Sequence, residues 1–255
     1  MISHAYRWAA LSAAFAALVL TTAAPPVSAM QEHDDDDRAR PVVRLKDARL
    51  KIEFNSTDRD VGVQLFIDAD PWKWMDVYDP RGRLVFRATA QGSVAKQGGT
   101  ELFLESGEPS LDKVPLAVFL ARFPVGIYRI FGRGVEGETL VGSARFTHNI
   151  PAGPVLVAPA EDATVDPADL VVSWQAVGPV NGSPIIGYQV LVVKPNTGLR
   201  ALPKIILDVM MPPNATSMAV PPGFLLRDSS YEWEVLVIES GGNQTLTVGH
   251  FRTAR

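Results

Sequence analysis

The stretch Tyr231-Glu-Trp233-Glu-Val235-Leu-Val237 has the alternating pattern of a β-strand with one buried face. Two similar runs precede it, Leu170–Trp174 and 185–192, the latter containing Tyr188. Turns rich in Pro, Gly and Asn separate the three runs. Three strands of this kind predict a small antiparallel sandwich in the last hundred residues.

The two faces of the 231–237 strand have different compositions. Because side chains alternate along a strand, Tyr231, Trp233, Val235 and Val237 share one face, which we expect to be core. The other face includes residues 232, 234, 236 and 238, and half of these are glutamates. We therefore expect this second face to be exposed to solvent.

Strand and turn residues recur at defined places across residues 154–253. They are Pro154 and Pro159 around the first strand, Trp174 on the second, Tyr188 and Val190 on the third, Leu225 and Tyr231 at the corner before the sixth, Gly242–Asn243 in the next turn, and Phe251–Thr253 in the closing strand. On these residues the segment resembles the fibronectin type III family. The resemblance implies an immunoglobulin-like sandwich. Arg227 departs from the family, which often has Pro there.

The amino-terminal segment has the organisation of an export signal. Arg7 precedes an apolar run from Trp8 to Leu20, and the small residues that follow end in Val27-Ser28-Ala29. This pattern predicts a cleaved signal peptide at residues 1–29, and the apolar run is short for a membrane span. Residues 30–41, with four consecutive aspartates, predict an acidic disordered tether. We therefore expect a secreted or periplasmic protein with no membrane span after cleavage.

Composition narrows the classes of function. The chain has no cysteine and a net charge of −4. Without disulfides, an exported chain must be stabilised by its apolar cores. Its Lys and Arg residues are scattered along the sequence, whereas nucleic-acid sites need a concentrated basic face, so we expect no nucleic-acid partner.

The chain divides into two predicted β-rich domains. Residues 42–149 read as several strands with at most one short helix, placed between Pro115 and Pro124. Residues 150–255 form the fibronectin type III-like domain, after a short Pro- and Gly-containing hinge at 151–154. The predicted fold class is all-β, with two consecutive β-sandwich-like domains.

A polar loop in the first domain contains a candidate cation site. Asn55, Asp58 and Asp60 precede Gly62, and spaced oxygen ligands of this kind suit Ca²⁺. An ordinary Asx turn has the same composition. We therefore keep two alternatives, a calcium loop and a polar turn, and expect no other cofactor.

A second candidate site is an aromatic strand. Trp72, Trp74, Asp76 and Tyr78 alternate along residues 70–79, and the alternation predicts that they share one face. If exposed, this face is a platform for sugar rings or an extended peptide; if buried, it is core. Asp76 is awkward for a dry core, since burying an unpaired carboxylate is costly.

The sequence favours a non-catalytic binding or spacer protein with a protein or polysaccharide partner. The alternative is an extracellular carbohydrate- or peptide-processing enzyme that uses carboxylates such as Glu101 and Glu105. A pocket that holds both glutamates would favour the enzyme, and an open surface would favour binding. No nucleophile elbow, histidine metal motif or phosphate loop occurs in the sequence.

Overall fold

A computed structural model describes residues 40–198 and 201–255. The predicted signal peptide and residues 30–39 of the predicted tether lie outside the described residues. Within the described ranges the chain forms fifteen strands and two short helices, so the all-β prediction is confirmed. None of the described helices is long and apolar enough to cross a bilayer.

The first half contains seven strands and both helices. They are β1 (Val42–Arg44), β2 (Asp47–Asn55), β3 (Asp60–Tyr78), β4 (Leu84–Thr89), α1 (Gly92–Gln97), β5 (Gly99–Glu105), α2 (Leu116–Arg122), β6 (Gly126–Gly134) and β7 (Thr139–Phe146). The helix predicted after Pro115 is α2, and it buries Phe119. Helix α1 was not predicted, because it buries no residue and so has no apolar periodicity to detect.

Strand β3 organises the first half because it pairs with different neighbours along its length. Its first part lies between β2 and β5, and its second part lies between β4 and β6. It is one continuous strand of 19 residues. Register shifts between Asp68 and Trp74 mark the change of partners. The apolar sides of both parts pack into one core with Ile52, Met75 and Phe146.

The second half contains eight strands in two sheets. They are β8 (Leu156–Ala158), β9 (Ala163–Val165), β10 (Val171–Trp174), β11 (Ile185–Val193), β12 (Ile205–Met211), β13 (Ser217–Ala219), β14 (Ser230–Glu239) and β15 (Gln244–Thr253). Strands β13, β10 and β8 form one sheet, and β12, β11, β14 and β15 follow one another in the other. Strand β9 adds to β15 in parallel. This is a fibronectin type III-like sandwich.

The core of the second half contains the aromatic residues that the sequence placed there. Trp174, Tyr188, Tyr231 and Trp233 are all buried in one apolar cluster. The Tyr231 hydroxyl accepts a hydrogen bond from the Leu226 backbone N–H at 2.8 Å, which is the arrangement of a tyrosine corner.

The opposite face of β14 differs from the prediction. Glu234 is 6% exposed and Leu236 is 3% exposed, so the expectation of an open polar face is wrong at these positions. Leu236 packs with Leu191, Val193 and Leu246 in a small apolar cluster.

The two halves meet through a parallel strand pair and several side-chain hydrogen bonds, including those of Asn243, Gln244 and Ser56. Residues 244–246 of β15 pair with residues 53–55 of β2, so strands of both halves share one sheet. The side chain of Asn243 accepts a hydrogen bond from the Ile52 N–H at 2.8 Å and donates one to Thr147 Oγ1 at 2.8 Å. It also donates to the Asn149 carbonyl at 3.2 Å. These contacts make the junction an ordered part of the fold.

Candidate functional site

The predicted calcium loop lies between β2 and β3. Asn55 Oδ1 accepts hydrogen bonds from the Thr57 N–H at 2.9 Å and the Asp58 N–H at 3.0 Å, which is an Asx turn. Asn55 Nδ2 contacts Asp58 Oδ2 at 3.3 Å. The Asn55 oxygen thus already has two donors. Calcium binding by Asn55, Asp58 and Asp60 stays a prediction.

The charge of Asp60 interacts with those of Asp58 and Glu108. It is buried at the start of β3. Burial, with the nearby charge of Asp58, raises the pKa of Asp60 to about 6. Asp60 in turn contributes to a raised pKa of Glu108.

Three glutamates form the most concentrated acidic group among the described residues. Side-chain oxygens of Glu53, Glu105 and Glu108 all lie within 4.8 Å of one another. Burial, followed by the charges of Glu105, Glu53 and Asp60, raises the pKa of Glu108 to about 8. Burial also raises the pKa of Glu53. Carboxylates this close can share a proton or bridge a hard cation such as Ca²⁺.

Amide side chains hold this acidic group in place. Gln64 Nε2 donates to Glu105 Oε1 at 2.8 Å. Gln244 donates to Glu53 and accepts from Lys51 Nζ, the latter at 2.7 Å. Gly62 leaves room for Glu108, since a Cβ at residue 62 would lie 2.9 Å from Glu108 Cγ. The group therefore depends on residues from both halves of the chain.

The predicted carboxylate pair Glu101 and Glu105 does not form one site. The two residues are four apart on β5, opposite Asp68 and Gln64 respectively. At about 3.3 Å per residue their backbones are about 13 Å apart. Glycosidase carboxyl groups lie about 5–9.5 Å apart. Glu105 instead approaches Glu53 and Glu108.

The predicted aromatic platform divides between two faces of β3. Trp72 is 7% exposed and belongs to the core cluster with Met75 and Val77. The register of β3 shifts between Trp72 and Trp74. Trp74, Asp76 and Tyr78 consequently lie on the outer face, away from the core. The structure therefore does not bring all four residues of the predicted platform together.

Asp76 is buried on this outer face and forms an ion pair with Arg87. Arg87 Nε on β4 donates to Asp76 Oδ1 at 2.6 Å, and the Tyr78 hydroxyl donates to Asp76 Oδ2 at 3.2 Å. Hydrogen bonding from Arg87 lowers the pKa of Asp76. The negative charge of Asp76, which would be costly to bury unpaired, is thus balanced by Arg87 on the adjacent strand.

Cross-strand register gathers arginines and aromatic residues around this pair. We call the outer side of β4, β3, β6 and β7 the arginine–aromatic face. Its members, by pairing and alternation, are Trp74, Asp76, Tyr78, Arg87, Ile127, Arg129, Phe131, Arg133, Ser143 and Arg145. Arginines that are scattered along the sequence are therefore neighbours in the folded chain.

Two arginines of this face have no partner. Within the described part of the chain, Arg129 and Arg145 are exposed and make no ion pair or side-chain hydrogen bond. Arg129 lies opposite Ser143, so Arg145 is its diagonal neighbour, about 7–8 Å away across the pair of strands. Beside them Phe131 is 41% exposed and contacts Tyr78 edge-on, with ring centroids 5.9 Å apart.

An open groove continues this face toward β1. Its volume is about 540 Å³, and its lining includes Arg44, Ile127, Arg129 and Phe131. Gly142 permits the close packing that shapes the groove, since a Cβ there would lie 2.3 Å from Leu45 Cδ1. The volume is within the usual range for a small-ligand site.

Comparison with known proteins gives only distant similarity. No protein-family model matches the sequence, and no curated protein matches it. Chicken CNTN1 FN1–FN3 domains are 13% identical, with 84% of this chain and 69% of that chain covered and a TM-score of 0.31. A bacterial ice-binding adhesin is 12% identical, with 81% and 64% covered and a TM-score of 0.26.

The chain spans a small part of some other matched structures. It covers 14% of E. coli alpha-2-macroglobulin, at 12% identity over 80% of this chain and a TM-score of 0.28. It covers 21% of an engineered protein and 60% of a titin fragment. Similarities at these TM-scores carry no functional argument, so the fold assignment depends on strand order.

Proposed function

We propose that this protein is an exported, non-catalytic binding protein, with the arginine–aromatic face as its recognition surface. One observation carries the proposal. The exposed apolar side chains of Phe131 and Ile127 lie on the same face as Arg129 and Arg145, which have no partner among the described residues. Contiguous apolar surface beside unpaired charge is typical of interaction sites.

The fold supports this surface on regular strands rather than on loops. Arg129 and Phe131 lie in the middle of β6, which is paired on both sides by β3 and β7. Side chains on paired strands are held more precisely than those on loops. The fibronectin type III-like half supports the first half through β15 and Asn243. In this proposal the second half positions and spaces the recognition surface.

Export is the part of this proposal that depends on sequence alone. Signal cleavage after Ala29 would give a mature chain that begins at Met30. Expression of the full chain in a bacterial host, fractionation and mass spectrometry of the intact protein test it. A protein retained in the cytoplasm with residues 1–29 still attached would contradict export.

Binding is tested by removing an exposed aromatic ring from the proposed surface. Phe131→Ala should weaken binding to a panel of immobilised polysaccharides and extended peptides, measured by biolayer interferometry. Phe103→Ala is the matched control, because Phe103 is 60% exposed on β5, outside this face. Equal effects of the two substitutions, or no ligand for the parent protein, would contradict the proposal.

A second candidate function is an extracellular hydrolase, which is favoured by the grouping of Glu53, Glu105 and Glu108 together with the raised pKa of Glu108. A carboxylic acid that keeps its proton near neutral pH can act as a general acid. Hydrolysis of polysaccharide and peptide substrates that is lost in Glu108→Gln would support this function. Absence of turnover with retained ligand binding would support the non-catalytic proposal.

A further inference from the structure

We propose that the ligand of the arginine–aromatic face is an anionic polysaccharide. This inference rests on the proposed function and adds the chemistry of the partner. It follows from the local charge of the face, the groove beside it and the exposed apolar side chains.

The face has a charge opposite to that of the chain as a whole. The chain has a net charge of −4. Among the outward-facing residues of β4, β3, β6 and β7, four are arginines and the carboxylate is Asp76, which is already bound to Arg87. Arg129 and Arg145 thus remain to meet negative groups of a ligand. The planar guanidinium matches carboxylate and sulfate groups with paired hydrogen bonds.

The groove adds a third unpaired cation and a place for a sugar ring. Arg44 lines it on the β1 side and makes no ion pair within the described residues, while Arg129 lines it from β6. Ile127 and Phe131 supply apolar surface in the same groove, and they are 42% and 41% exposed. A pyranose ring has apolar C–H faces and polar edges, so an acidic sugar fits apolar surface with cations on either side.

The moderate number of cations favours a polysaccharide over a nucleic acid. Duplex DNA carries one negative charge per about 1.7 Å, so a net-negative protein with three unpaired arginines on this face and its groove is poorly matched to it. An acidic polysaccharide with one charge per sugar is less densely charged, and it presents a ring at each step. An extended peptide would instead pair with a free strand edge, which makes little use of these side chains.

The test compares two double variants that remove equal charge. Arg129→Gln/Arg145→Gln changes the face, and Lys113→Gln/Arg122→Gln removes two exposed cations elsewhere, near or on α2. The probes are polygalacturonate, a sulfated glycan such as heparin, and neutral dextran. Single-stranded DNA, polyglutamate and phosphatidylglycerol vesicles represent other polyanions. Isothermal titration and biolayer interferometry measure affinity, and circular dichroism confirms folding of each variant.

We expect the parent protein to bind polygalacturonate or heparin and not dextran, with affinity that falls as salt rises. The Arg129→Gln/Arg145→Gln variant should lose about tenfold or more in affinity, as expected for lost charged hydrogen bonds. The control variant should lose less than about twofold, because exposed charges at a distance are screened.

Other outcomes would overturn the inference. Equal losses in both variants would show that general charge, not this face, is responsible. Tighter binding to DNA, polyglutamate or vesicles would identify another class of partner. Binding to dextran or a neutral peptide, sensitive to Phe131→Ala but not to the arginines, would overturn the anionic ligand and leave the proposed binding function standing.

Discussion

Replacement of Asn243 by alanine should destabilise the protein more than an ordinary polar substitution. This side chain is 1% exposed and links the turn after β14 to β2 and to residues 147–149. Alanine removes its amide, and Ile52, Thr147 and Asn149 each lose a hydrogen-bond partner.

The expected loss in the free energy of unfolding follows from the hydrogen-bond partners that the substitution leaves unpaired. The Ile52 N–H is buried, and leaving such a donor unpaired costs about 1–3 kcal/mol. The bonds to Thr147 Oγ1 and the Asn149 carbonyl contribute about 0.5–1.5 kcal/mol each. We therefore expect a loss of roughly 3 kcal/mol in the free energy of unfolding. In a chain of this size that corresponds to about 6–12 °C in Tm.

Urea unfolding followed by circular dichroism and tryptophan fluorescence measures this loss. Asn196→Ala is the matched control, because Asn196 is exposed and, among the described residues, its Oδ1 accepts a local bond from the Gly198 N–H at 2.9 Å. We expect the control to cost less than about 1 kcal/mol. An Asn243→Ala protein as stable as the control would refute the structural role of this junction.

Three further predictions concern protonation, the tyrosine corner and calcium. Glu108 has a folded-state pKa of about 8 against 4.5 ordinarily, so the stability it contributes is present below about pH 4.5 and is lost as pH rises through 8. Glu108→Gln should therefore raise Tm at pH 8.5 relative to the parent and flatten its dependence on pH; an unchanged pH profile would contradict this. Tyr231→Phe should cost about 1 kcal/mol in urea unfolding by removing the acceptor of the Leu226 N–H, and a midpoint equal to the parent's would show that the bond contributes nothing. If Asp58 and its neighbours bind calcium, millimolar calcium should raise Tm and Asp58→Asn should abolish the rise, whereas no shift in the parent would end the calcium hypothesis.

The strands of the second half could be predicted because each has a strong local pattern. Trp174, Tyr188 and Tyr231 lie in alternating runs, and burial of one face makes the alternation visible. The junction of the two halves has no such pattern. The pairing of Glu53 with Gln244 joins residues far apart in the chain, and only the folded register brings them together.

Both candidate sites of the first half likewise depend on which residues lie opposite one another on paired strands. Local alternation assigned Trp72 and Trp74 to one face, but the shift of register between them moved Trp72 into the core. Arg129 and Arg145 look isolated in the sequence and become diagonal neighbours only through β6–β7 pairing. A weak signal was present: Ile127, Arg129 and Phe131 alternate with buried residues on one strand.

The most direct test of the recognition surface is an NMR titration of the isotope-labelled protein with oligogalacturonate. Resonances of the Trp74 indole N–H and the Arg129 and Arg145 Nε–H groups should shift together on addition of ligand. The indole N–H of Trp233, which is buried in the second half, should not move. Shifts confined to other surfaces, or no shift at Trp74, Arg129 and Arg145 at saturating ligand, would contradict the assignment of this face.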